Sequence, residues 1–108
     1  MNERKDIFDL RVDCERLDAA AAPEFKRRAQ QELPAEQKRV LLDLDAVSFI
    51  DSTGLGVLVS ILKQMGPDGR IAVIGARPPV RRLFEITRLD SLFRLYGDAD
   101  QARQALAG

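Results

Sequence analysis

The sequence predicts an α/β layered domain built around a mostly parallel sheet. Three observations carry that expectation. Val40-Leu41-Leu42-Asp43-Leu44 and Ile71-Ala72-Val73-Ile74 are nearly continuous apolar runs, the pattern of strands covered on both faces. The segments after them, Leu55–Met65 and Val80–Thr87, set apolar residues at helical spacing. Strand and helix therefore alternate from residue 40 onward, and such alternation places parallel strands side by side with crossover helices.

Each element has its own signal. Phe8, Leu10, Val12 and Cys14 alternate with Asp9, Arg11 and Asp13, which predicts a strand with one buried face, antiparallel or at an edge. Cys14 falls on its apolar side, where a structural thiol is the default. Asp18 is placed to cap a helix, and Pro23 fits the first turn. Ala22, Phe25, Ala29 and Leu33 share one face, and Leu33-Pro34 ends the helix. A strand follows at Val40–Leu44. The stretch FIDSTGLG, residues 49–56, marks a passage from strand to helix, whose apolar face is Leu55, Leu58, Val59, Leu62 and Met65. Val57 and Ile61 lie off that stripe, as core or as an exposed apolar rim. Gly66-Pro67-Asp68-Gly69 is a turn, and Ile71–Ile74 is the next strand. Pro78-Pro79 opens a third helix with Val80, Leu83, Phe84 and Thr87 on one face. Leu92–Tyr96 reads as another strand. Asp98 caps a final helix over Ala99–Ala107, closed by Gly108.

The chain has 108 residues, enough for one domain, 1–108, with a real core and no need of metal or disulfide. Lys plus Arg and Asp plus Glu are each 17. A formal charge of zero argues against a nucleic-acid partner. The single cysteine allows no internal disulfide. Histidine is absent, which removes the Ser-His and Cys-His dyads and every imidazole metal ligand. No cofactor or metal site is expected. No apolar run approaches a membrane span, and MNERKD is not the start of a signal peptide; a cytoplasmic protein is expected. The basic groups Arg77, Arg81, Arg82 and Arg88, and Lys26-Arg27-Arg28, sit among acidic residues and read first as solvated helix faces. The first group could also form a basic rim for an acidic partner.

FIDSTGLG carries the only chemistry the sequence concentrates. A hydroxyl where a strand enters a helix lies beside unpaired N–H groups and a positive dipole end. It is not a nucleophile elbow, because Ile50 stands where G-x-S-x-G needs glycine and no base is present. It is not a P-loop, because Gly54 and Gly56 have no lysine in register. Residue 59 is valine, so G-x-G-x-x-G fails as well. On local chemistry alone, Ser52 or Thr53 is a helix cap, and the glycines permit close packing or special backbone angles.

A longer pattern gives that stretch a second meaning. LDAAAAPEFKRRAQ, LLDLDAVSFIDSTGLGVLV and RIAVIGARPPVRRLFEITRLDSLFRLY occur in order before a short terminal helix. Together they resemble the STAS domain family (sulfate transporter and anti-sigma factor antagonist), and most of all its small single-domain anti-sigma factor antagonists. The resemblance runs over roughly residues 7–107 and implies a STAS-like layered fold. That fold has a mixed, mostly parallel sheet of four to five strands flanked by about four helices.

It also implies partner switching rather than catalysis. The serine after the motif aspartate, here Ser52 after Asp51, is the residue such proteins have phosphorylated by a serine kinase that is also an anti-sigma factor. The unphosphorylated form binds that kinase, phosphorylation releases it, and a phosphatase resets the cycle. Thr53, Gly54 and Gly56 would be the neighbours of the switch, and Leu55, Val57 and Ile61 the partner-binding residues. The protein would need no cofactor of its own, since the kinase holds the ATP. The family also includes accessory subunits that bind the ATPase of a lipid-transporting ABC system, where the same region would be a fixed interface; serine at 52 favours the switch. Two departures stand out. Such domains commonly carry two strands before the first helix, and here there is room for one. Glu15-Arg16 replaces the glycine that often precedes the Leu-Asp pair. An open amino-terminal sheet edge invites pairing, here with a second copy in a homodimer.

Overall fold

The computed structural model describes residues 6–108. The elements in chain order are β1 (Phe8–Arg11), β2 (Arg16–Leu17), α1 (Ala22–Glu32), β3 (Arg39–Asp43), β4 (Phe49–Ile50), α2 (Ser52–Met65), β5 (Arg70–Ile74), α3 (Pro78–Ile86), β6 (Phe93–Leu95) and α4 (Ala99–Ala107). The main sheet has the order β1-β3-β5-β6. The apolar runs recognised in the sequence are its two central strands, with Val40 beside Ile71 and Leu42 beside Val73.

Every ladder among the described residues is parallel, so the sheet is not mixed there. The expected first strand is also divided. β1 stops at Arg11, although the Val12 N–H still reaches the Asp43 carbonyl at 3.1 Å. The chain then bends, and Arg16–Leu17 forms the short strand β2. β2 leaves the main sheet and pairs with β4, Leu17 opposite Ile50. Among the described residues two strands therefore precede α1 where one was expected. β1 is the amino-terminal edge among the described residues; the stub Met1–Lys5 lies outside them.

Alternation along the strands sorts the core into two layers. Leu10, Val40, Leu42, Ile71, Val73 and Phe93 join the side chains of α1, α2 and α3 in one large cluster. Leu41 and Ala72 point the other way and meet Ala102 and Leu106 of α4. Burying a large aliphatic side chain contributes roughly 1.5–3 kcal/mol, so the first layer supplies most of the cohesion. Phe84 and Phe93 pack with ring centres 5.7 Å apart, which ties α3 to the edge strand β6.

Local chemistry explains most of the boundaries. Asp98 caps α4, its carboxylate accepting the Gln101 N–H at 2.8 Å. Asp18 lies farther from α1 than expected: Ala21 is the N-cap and offers no side-chain bond. Asp18 instead closes the turn before it, accepting from Ala20 and Ala21 N–H at 3.2 and 3.1 Å. These bonds, Ala21 first, hold its carboxyl below the usual range. Arg27 pairs with Glu24 and lies with Lys26 on an exposed face, while Arg28 pairs with Glu32 at 3.2 Å but is half-buried and donates to the Arg11 carbonyl. Cys14 is half-buried, and desolvation, with Asp13 beside it, pushes its thiol up.

Candidate functional site

The site around FIDSTGLG is assembled from two distant pieces of chain, β2 and β4. β4 ends at Ile50, and the Asp51 N–H donates to the Leu17 carbonyl of β2 at 3.3 Å. That bond fixes where the strand lets go and the helix starts. Asp51 is extended and is the N-cap of α2; its Oδ1 accepts the Gly54 N–H at 2.9 Å. Its Oδ2 accepts the Ala19 N–H at 3.0 Å. A single carboxylate thus closes α2 and holds the turn that leads into α1.

The capping role expected of Ser52 or Thr53 therefore belongs to Asp51. Ser52 is the first helical residue, and both Ser52 and Thr53 are exposed. No described residue hydrogen-bonds the Ser52 hydroxyl. The two glycines differ. A Cβ on Gly54 would lie 2.2 Å from the Leu17 carbonyl oxygen, whereas a Cβ on Gly56 would meet nothing within 4 Å. Gly54 lets α2 touch β2; Gly56 leaves a bare stretch of helix surface beside the hydroxyls.

Leu55, Val57 and Ile61 are not a surface. They are 6%, 8% and 2% exposed and belong to the main core. The physical reason is that α2 is covered on two sides, by α1 and by the sheet. Its buried stripe is wider than one face and takes in Val57 and Ile61, while Val59 and Leu62 sit at the margin. The exposed apolar group near the serine is Phe49, 39% accessible, with the Arg16 guanidinium 4.2 Å from its ring centre. Arg16 also pairs with Asp18 at 3.4 Å. That Arg16 and Phe49 meet was not legible in the sequence, since only the β2–β4 pairing brings them together. Of the basic group, Arg77 donates to the Asp45 carbonyl at 3.1 Å, and Arg81 and Arg82 are exposed.

The arrangement presents a hydroxyl to solvent. The chain has no histidine, and no described cluster of acidic or cysteine side chains could hold a metal. No described helix is long and apolar enough to cross a membrane. A phosphoryl group on Ser52 would sit at the positive end of α2, where anions are favoured.

Comparison with known proteins gives a consistent picture. The family model for the STAS domain matches residues 1–102. An anti-sigma-B factor antagonist of Staphylococcus aureus is 32% identical over 90 residues, covering 82% of each chain. One of Listeria monocytogenes is 34% identical over 91 residues, 83% of this chain and 79% of that one. The crystal structure of an anti-sigma factor antagonist from Mycobacterium paratuberculosis superimposes with a TM-score of 0.82 at 26% identity, covering 94% of this chain and 86% of the other. With the parallel sheet, the clasped Asp51 and the exposed serine beside it, these matches show that the chain belongs to the STAS domain family.

Proposed function

We propose that this protein is an anti-sigma factor antagonist whose binding to a serine kinase/anti-sigma factor is switched by phosphorylation of Ser52. The observation that carries the reading is the division of labour at the start of α2. Asp51 does the structural work, and the Ser52 hydroxyl is left exposed. The names of the relatives at 32% and 34% identity support the same role.

Electrostatics supplies the switch. Phosphorylation adds about −1.5 to −2 charges at neutral pH. The α2 dipole accommodates that charge within the domain, so the fold need not change. A partner packed over Ser52, Thr53, Gly56 and Phe49 would have to desolvate it next to the Asp51 carboxylate. An uncompensated buried charge costs several kcal/mol, a loss of affinity on the order of 100-fold or more. A phosphatase removing the phosphoryl group restores the binding form. The protein itself is a binding partner rather than an enzyme, working in the cytoplasm with its kinase.

The test is a capture experiment from native lysate with wild-type and Ser52→Asp baits, read by mass spectrometry. Aspartate is well tolerated in a first helical turn, so the variant should fold. Wild type is expected to capture a kinase-like ATPase that the variant does not. The captured kinase should then add one phosphoryl group to the wild-type chain and none to Ser52→Ala. Capture of a transporter ATPase by both baits would instead make the region a fixed interface and sink the switching model.

A further inference from the structure

At the end of α2 away from Ser52, the Gly66–Gly69 turn, β5, β6 and α4 border an open groove of about 680 Å³. Helix α2 has 14 residues, so the groove lies about 20 Å from the serine. The volume is in the range of small-molecule sites, roughly 300–1,000 Å³. The lining is largely apolar and includes Leu62, Leu92 and Tyr96. Leu92 is 50% exposed, a large aliphatic surface that the fold leaves in water.

The charged lining is of one sign. Lys63, Arg70 and Arg94 border the groove, and no acidic side chain among the described residues does. In a chain with 17 groups of each sign, that is a local excess of positive charge. The fold accounts for part of it. Helix carbonyl ends are partly negative, and two of them lie here. Lys38 Nζ donates to the Met65 carbonyl of α2 at 2.8 Å. Arg70 Nη2 donates to the Leu106 carbonyl of α4 at 2.7 Å, and Arg39 donates to the same oxygen. Both helix ends are therefore met. Lys63 and Arg94 are surplus: no described residue pairs with either side chain.

We propose that this groove binds a small anionic amphiphile. Its apolar chain lies on Leu62, Leu92 and Tyr96, and its carboxylate or phosphate head lies against Lys63 and Arg94. An uncharged apolar ligand would leave the two cations unanswered, and a bare anion would leave Leu92 and Tyr96 in water. Neither accounts for both halves of the groove.

The proposal is independent of Ser52 and is tested on the isolated chain. The isotope-labelled protein is titrated with decanoate and with decyl phosphate below their micellar concentrations, with decanol and inorganic phosphate as comparisons, and followed by NMR. Saturable shifts are expected at Leu92, Arg94 and Tyr96. Decanol and inorganic phosphate should bind about tenfold more weakly or worse, and Lys63→Glu/Arg94→Glu should weaken the acids by about tenfold or more. The tighter of the two acids identifies the head group. Absence of saturable shifts, decanol or phosphate matching the acids, or an undiminished double variant would each overturn the proposal. So would shifts produced by raising the protein concentration alone, which would mean that a second copy covers the groove. Should the double variant fail to fold, the decanol comparison on the wild type decides.

Discussion

Asp51 and Ser52 are neighbours with opposite duties. The carboxylate accepts N–H groups from Gly54 and Ala19, and the hydroxyl points to solvent. Replacing Asp51 by alanine should therefore cost about 1–2 kcal/mol, the range for loss of a good cap. Ser52→Ala should stay within about 0.5 kcal/mol of wild type, as exposed substitutions do. Urea unfolding of the two variants measures both; an equal loss in each would return the capping role to the serine. The sequence placed a hydroxyl at the strand-to-helix junction correctly and misassigned the cap. Aspartate and serine are both strong cap residues, and the choice between them depends on the bond from Asp51 N–H to Leu17, which no local pattern announces.

Helix α2 shows what periodicity can and cannot convey. Its existence and direction are plain in the spacing of Leu55, Leu58, Leu62 and Met65. The width of its buried stripe is not, because that depends on α1 lying across it. Val57 and Ile61 consequently moved from a candidate rim into the core. The short strands β2 and β4 were equally hidden as a pair, two residues each and far apart in the chain. They explain why one glycine of the motif is indispensable. Gly54→Ala drives a Cβ into the Leu17 carbonyl, an oxygen already held by the Asp51 N–H; a loss of roughly 1–3 kcal/mol is expected. Gly56→Ala meets open space and should stabilise α2 by about 0.5–1 kcal/mol. Thermal melts of the pair provide the check: effects of the same sign would contradict the packing described for β2.

Across the whole molecule the two faces of the sheet are unequal. One is covered by three helices and a continuous apolar cluster. The other relies on α4, where Ala102 and Leu106 meet Leu41 and Ala72, and on the two arginines that hold the Leu106 carbonyl. Small apolar contacts permit local opening without global unfolding. Amide hydrogen exchange should therefore show lower protection in α4 than in β3 and β5; equal protection would mean that both faces open as one unit. The alternation of strands and helices after residue 40 was legible because buried parallel strands announce themselves as apolar runs. The groove was not legible. It is made from the end of α2, a turn, an edge strand and α4, and only the folded chain brings their cations together.

The clasp formed by Asp51 has a consequence for descent. Because the domain is closed by the carboxylate at 51, the neighbouring position is open to drift. Under the proposed switch, a gene copy that exchanged Ser52 for alanine or aspartate would still yield a folded product, locked in one binding state. Such a copy would outlast the loss of the proposed kinase with its melting temperature intact, and would remain available for other duties.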